Sequence, residues 1–284
     1  MTNAAGSNTL GHKIRRVILY ISVAIFIIFT LFPYFVMFVS SLKDMGEIYS
    51  MPCTLIPEVA HWENYINIWK DVPLALYFWN TIKTSVIATA ITILAAVPAA
   101  YCMARMRFKG RETFRAFIIM SQTFSSTVLL MGIYRVAVNM HLQNTHLGLI
   151  LILAAFNEAF AVWILSGTFA TISVELEEAA RIDGCSKLSA LFRVILPLAA
   201  PGIVTAVIYT FTACWNEYTV TLVLIGDSAL KTINIGLRAF FGYTNVEWWY
   251  VFGASLISTI PTVILFMLIE KNMTSGLTSG GVKG

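Results

Sequence analysis

The chain has 284 residues, of which 58% are hydrophobic and only 12% charged, and its mean hydropathy is +0.76. A water-soluble domain of this length has no means of hiding so much apolar surface, so the composition points to an integral membrane protein. The formal net charge of +4 is spread between apolar runs rather than gathered on one patch, which suits membrane orientation and leaves no nucleic-acid reader.

A bilayer core about 30 Å thick takes roughly 20 apolar residues per helix. About six runs meet that length: Val17 to Val39, Phe78 to Met103, Phe114 to Val138, Leu147 to Phe169, Ile203 to Ile225 and Trp248 to Ile269. None alternates in the short pattern of a barrel strand, so the expected fold class is all-α and polytopic. The first run follows His12, Lys13, Arg15 and Arg16 but is too long for a secretory signal and ends without a small-x-small cleavage site, so it is expected to stay as an anchor.

Basic residues set the expected orientation. Lys13, Arg15 and Arg16 precede the first span, and Arg105, Arg107, Lys109, Arg111 and Arg115 crowd the connection between the second and third, so both sites are expected to be cytoplasmic. By alternation the acidic stretch from Ser40 to Leu76 and the loop from Gly226 to Glu247 are external, and both termini are inside. The expected division is a cytoplasmic N-terminus (1–16), an anchor helix (17–39), an external loop (40–77), a core membrane domain (78–269) with a cytoplasmic connection (171–202), and a cytoplasmic tail (270–284).

That connection is the most informative segment. In "TISVELEEAARIDG" Ser173 is a plausible N-cap, Glu175, Glu177 and Glu178 complement the dipole of a short helix, and Gly184 allows the left-handed turn that ends it. Ser186 can cap a second helix carrying Leu188, Leu191, Phe192 and Ile195, which Pro197 and Pro201 then break before the next span. An ordinary amphipathic connector would account for the capping alone.

The spacing goes further. Glu178-Ala179-Ala180, Gly184, Val194 and Leu196-Pro197 resemble the coupling-loop signature of ABC importer permeases, Glu-Ala-Ala, three residues, Gly, nine residues, Ile, one residue, Leu-Pro, with Val in place of Ile. Nearly the whole chain is similar to the MalG-like permease subunits of binding-protein-dependent carbohydrate importers, including "CWNEYTVTLVL" and the terminal "GLTSGGVKG". The resemblance implies a type I importer fold and a coupling role for Glu178, Ala179, Ala180, Asp183, Gly184, Leu196 and Pro197. It also implies that the tail, with Gly276, Gly280, Gly281 and Lys283, reaches the ATPase; flexibility alone would equally suit its Gly/Ser composition.

The same resemblance implies the partners: a second, MalF-like permease, two MalK-like ATPases and an extracellular solute-binding protein, in the multi-pass setting of a prokaryotic cell membrane with its lipid. ATP and Mg would be held by the ATPases, with no cofactor on this chain. The tail is no phosphate loop, because Val282 stands where G-x-x-x-x-G-K-[ST] requires Lys and no Ser or Thr follows Lys283. No Asp falls inside a span and no HExxH or nucleophile motif is present, so no catalytic residue is expected. The four cysteines, Cys53, Cys102, Cys185 and Cys214, are scattered and read as packing, and His141 and His146 read as loop residues rather than metal ligands.

Polar residues inside spans are costly unless they face a partner or a wet path. Lys83 and Arg135 lie toward helix ends, where long stems snorkel. Asn157 and Glu158 in the fourth run, and Trp215, Asn216, Glu217 and Tyr218 in the fifth, are candidates for a substrate path. Phe211, Trp215, Tyr218 and Leu222 share one helical face, and aromatic faces beside acids and amides suit sugars; helix packing is the competing reading. The resemblance to the maltose importer implies that the membrane sugar site is mainly a contribution of the other permease, so that this half lines the path without gripping substrate. The leading function is a permease subunit for sugar or oligosaccharide import, of maltose/maltodextrin or multiple-sugar type. A glycerol-phosphate importer permease and a secondary transporter using Glu158 or Glu217 as proton relay are the alternatives, and the second leaves the coupling segment unexplained.

Overall fold

Long apolar runs with intact backbone hydrogen bonding become long helices, because in lipid every N–H and C=O must find its partner within the protein. A computed structural model describes residues 7–242 and 246–279. Its helices are α1 (Ser7–Ser41), α2 (Met45–Ile48), α3 (Asn64–Asp71), α4 (Leu74–Arg105), α5 (Arg111–Ser121), α6 (Ser126–Asn139), α7 (His146–Thr171) and α8 (Val174–Ile182). They continue with α9 (Lys187–Ala190), α10 (Leu196–Leu198), α11 (Ala200–Trp215), α12 (Thr219–Leu224), α13 (Ile233–Gly236) and α14 (Trp248–Ser279). A π-helical turn, Leu191–Ile195, joins α9 to α10. Among the described residues the only extended pairing is an isolated antiparallel bridge between Phe241 and Val246.

Among the described residues, four helical segments are long and apolar enough to cross a membrane: His12–Ser41, Leu74–Arg105, His146–Thr171 and Trp248–Leu268. They correspond to four of the expected runs. The other two are interrupted. Phe114 to Val138 divides between α5 and α6, where the polar stretch "SQTFSS" offers side-chain substitutes for the helix ladder: Ser121 Oγ donates to the Ile118 carbonyl and Thr123 Oγ1 to the Met120 carbonyl, both at 2.7 Å. Ile203 to Ile225 stops at Trp215 and resumes as α12. A fifth crossing is reached when Lys187–Leu198 and Ala200–Trp215, bent by 78° to one another, form one broken span.

Two compact units make up the chain, Met1–Asp71 with Phe240–Ile257 and Val72–Ala239 with Ser258–Gly284. In the first, α1 leaves apolar side chains exposed from Ile14 through Phe35, as expected of a surface that meets lipid or another apolar chain. The stretch after it is stitched by polar contacts. Lys43, though buried, donates to both oxygens of Thr54 and lies 3.8 Å from Glu47 Oε1, while Asn64 Nδ2 donates to the carbonyls of Ser41 at 3.0 Å and Lys43 at 3.2 Å.

The second unit is built on α4, α7 and α11, which pack on one another. Ala96, Ala100, Ala161 and Ala206 are fully buried, so the helices approach closely, as membrane helices do where no aqueous hydrophobic effect drives association. One close approach is at Gly202 of α11, where an added Cβ would stand 2.2 Å from Thr168 Oγ1 of α7. On α4 the buried Thr84 and Thr92 donate to carbonyls one turn back, at 2.8 and 2.9 Å.

Candidate functional site

The segment after α7 takes its shape from local signals. Ser173 Oγ accepts from the Glu175 N–H at 3.2 Å and opens α8; Gly184, with φ +89°, turns the chain after α8; and Ser186 Oγ accepts from the Ser189 N–H at 3.2 Å and opens α9. The helix, elbow, helix arrangement therefore stands. No atom lies within 4 Å of a Cβ built at Gly184, so the elbow demands glycine for its backbone angles and not for lack of room.

The second arm differs from expectation. Pro197 does not end it, because the Leu196 N–H bonds to the Leu191 carbonyl, one residue further back than in an α-helix, and this wider turn takes up the clash a proline ring makes with the preceding turn. The arm ends at the 78° bend around Ala199, flanked by two prolines that cannot donate. Of the signature residues, Glu178, Ala179, Asp183, Gly184 and Pro197 are exposed, Leu196 is half-buried, and Ala180 turns inward.

The structure adds three residues that the sequence pattern did not single out for this role. Tyr101 and Arg105 sit one turn apart on α4, and both reach Glu177 of α8. The Tyr101 hydroxyl donates to Glu177 Oε1. Arg105 Nε lies 3.4 Å from Oε2, an ion pair outside good hydrogen-bond geometry, and Arg105 Nη2 donates to the Ile172 carbonyl at 2.7 Å. Glu177 is only 8% exposed, so its charge is held by partners rather than by water. A cavity of about 410 Å³ opens beside this group, with Arg107, Arg111, Arg181 and Lys187 among its walls.

The polar residues of the spans separate into packed and open groups. Asn157 Nδ2 donates to the Leu153 carbonyl at 2.8 Å and contacts Cys214 Sγ at 3.6 Å, which is helix packing. Glu158 is half-buried and has no hydrogen-bond or ionic partner among the described residues. Nearby, Phe160 stacks on Tyr209 with ring centroids 3.8 Å apart and touches Trp163 at 5.7 Å.

The expected single stripe of Phe211, Trp215, Tyr218 and Leu222 is broken, because the helix stops at Trp215. Phe211 and Trp215 still stack at 5.7 Å, but Trp215 is 2% exposed and donates from Nε1 to the Ser258 carbonyl at 3.1 Å. Asn216 and Tyr218 are exposed, and Glu217 Oε1 accepts from the Val220 N–H at 2.7 Å, capping α12. The carbonyls freed by the break are taken up by Asn234 Nδ2, at 2.8 Å from Trp215 and 3.4 Å from Glu217.

Lys83 is half-buried and Arg135 exposed. His146 is not a loop residue but the first of α7, with Nε2 at 3.0 Å from the Leu230 carbonyl, while His141 lies in the preceding turn. Among the described residues no group of three or more His, Cys, Asp or Glu could hold a metal. All four cysteines are free, and Cys53 is exposed rather than packed. Gly276 belongs to α14, which runs on to Ser279, and Gly280, Gly281 and Lys283 lie outside the described residues.

Residues 93–278 match the family described as binding-protein-dependent transport system inner membrane component. The chain belongs to that family of membrane transport components. It is 34% identical to the inner membrane ABC transporter permease protein YcjP of Escherichia coli (strain K12) over 97% of this chain and 99% of that one. It is 31% identical to the trehalose/maltose transport system permease protein MalG of Thermococcus litoralis, covering 95% and 98% of the two chains. In fold it is similar to a bacterial ABC transporter involved in the import of the acidic polysaccharide alginate, with a TM-score of 0.76 over 95% of this chain and 99% of that one at 24% identity.

Proposed function

We propose that this chain is one permease subunit of an ABC importer that takes up a sugar or oligosaccharide handed over by an extracellular binding protein. The observation that carries the reading is the exposed pair Glu178 and Ala179 on a short helix braced by the Gly184 elbow, in a chain of the binding-protein-dependent family. Small side chains on a rigid knuckle enter a cleft closely, so the hairpin suits a socket on an ATPase on the cytoplasmic side. The sugar class rests on relatives named for trehalose/maltose, maltose/maltodextrin and diacetylchitobiose uptake.

In this reading a MalF-like permease completes the pore and two MalK-like ATPases hold ATP and Mg. Closure of the ATPases carries α8 with it, and the spans pass from inward-open to outward-open to receive sugar from the binding protein. Gly276, Gly280, Gly281 and Lys283 of the tail extend the ATPase contact. Half-buried Glu158 and the exposed Asn216 and Tyr218 border the path, while Trp215 shapes it from behind. The protein sits in a prokaryotic cell membrane with both termini in the cytoplasm.

The test is uptake in vesicles that contain the full complex and external binding protein loaded with labelled sugar. The reading expects uptake to require ATP on the side of the ATPases and to survive a proton ionophore. Uptake without ATP that the ionophore abolishes would replace it with a proton-coupled carrier.

A further inference from the structure

α8, the first arm of the hairpin, has no extensive packing against the membrane helices. It packs mainly against the second arm of its own hairpin, and it joins α7 through Ile172 and Ser173, both extended in backbone. A nine-residue helix on such a joint could swing without moving the spans. Side chains of α4 reach both the helix and the joint. Tyr101, one turn from Arg105, donates to Glu177 Oε1, Arg105 lies in an ion pair with Oε2, and Arg105 Nη2 also donates to the Ile172 carbonyl at the joint. The Tyr101 ring is itself fixed edge-on against Phe169, a fully buried residue in the last turn of α7.

We propose that Tyr101, Arg105 and Glu177 form a clamp that makes α8 and α4 move as one body, and that this clamp passes the displacement of the coupling helix to the second span. The proposal rests on the permease reading and names positioning residues outside the exposed signature. The chemistry favours a stiff link. A buried carboxylate that accepts one hydrogen bond and faces one guanidinium has few alternative arrangements, and loss of either partner leaves charge poorly compensated in a dry site. Glu178, one residue on, is exposed and unclamped, so adjacent acids have separate tasks: Glu178 faces outward and Glu177 inward.

The experiment uses the reconstituted complex with spin labels at Leu176 on α8 and Leu94 on α4, both exposed, in a background without the native cysteines. In the parent, one narrow interlabel distance persists in the nucleotide-free and ATP-bound states. Tyr101→Phe keeps the ring against Phe169 and is the fold-preserving arm; Glu177→Gln removes the charge. The double variant is expected to broaden the distance and to lower binding-protein-stimulated ATP hydrolysis about tenfold, with basal hydrolysis and assembly retained and little loss beyond the worse single variant. A distance that stays narrow in the double variant, or one that broadens while stimulation stays full, overturns the clamp. Failure of binding protein to stimulate the parent overturns the permease reading instead, and the distance measurement still decides the clamp.

Discussion

The side-chain amide of Asn234 donates to the main-chain carbonyl of Trp215 at 2.8 Å, at the point where α11 gives up its helical ladder. A broken helix inside a membrane protein is tolerated only when other groups take over the freed carbonyls. Asn234→Leu removes that donor while keeping the same branching of heavy atoms, and the expected cost is about 1–3 kcal/mol of stability. Thermal unfolding of the detergent-solubilised subunit, followed by tryptophan fluorescence, should show a lowered midpoint relative to the parent.

Single cysteines across the same break should report two environments. Trp215→Cys, replacing a side chain packed on Phe211 and Phe78, should resist hydrophilic thiol reagents in every nucleotide state, while Asn216→Cys and Tyr218→Cys should react. Protection of both exposed positions in all states would remove them from a water-filled path. Glu217→Gln keeps an oxygen able to cap the Val220 N–H, so assembly and stability should change little.

Gly202 tests the close approach of α7 and α11. A leucine there places its Cβ against Thr168, 2.2 Å from Oγ1, and the helices must part. Overpacking of this kind costs about 1–3 kcal/mol or more. Gly202→Leu is expected to reduce the yield of folded subunit, and Thr168→Ala in the same chain should restore part of it.

Outside the spans, His61 Nδ1 lies 2.8 Å from Glu63 Oε1, and this hydrogen bond raises the imidazole and lowers the carboxyl from their ordinary values. The pair contributes where both are charged. Its contribution fades as pH rises through the raised His61 value, and again as pH falls through the lowered Glu63 value. Glu63 is exposed and His61 partly so, and solvent screening leaves the pair little weight in fold stability. In Glu63→Gln the His61 ring, followed by NMR, should titrate at lower pH.

The hairpin was legible because its determinants are local: Ser173 and Ser186 cap helices that begin beside them, and Gly184 supplies a turn that nearby residues demand. The uninterrupted spans were legible for the same reason, since length and apolarity are summed over neighbours. The breaks at residues 122–125 and 216–218 were hidden by that same summing, which averages a few polar residues into an apolar window. Tyr101, Arg105 and Glu177 escaped notice because 76 positions separate Tyr101 from its partner, and within its own helix Glu177 already had a sufficient reason to be acidic. Asn157, read as lining a path or packing, donates to the Leu153 carbonyl of its own helix and to Cys214 Sγ of α11, and the second is a contact between helices that no local pattern encodes.

The coupling role of the hairpin is the claim on which the functional account depends, and two substitutions isolate it. Gly184→Val strains an elbow at φ +89° by about 1–3 kcal/mol, and Glu178→Lys sets a positive charge against the helix dipole on an exposed face. The most direct measurement is the ATP hydrolysis rate of the reconstituted complex with and without sugar-loaded binding protein. The account predicts that both variants insert, pair with the second permease and tolerate docking of the binding protein, yet lose its stimulation of hydrolysis and with it uptake. Full stimulation and normal uptake in both variants would contradict it.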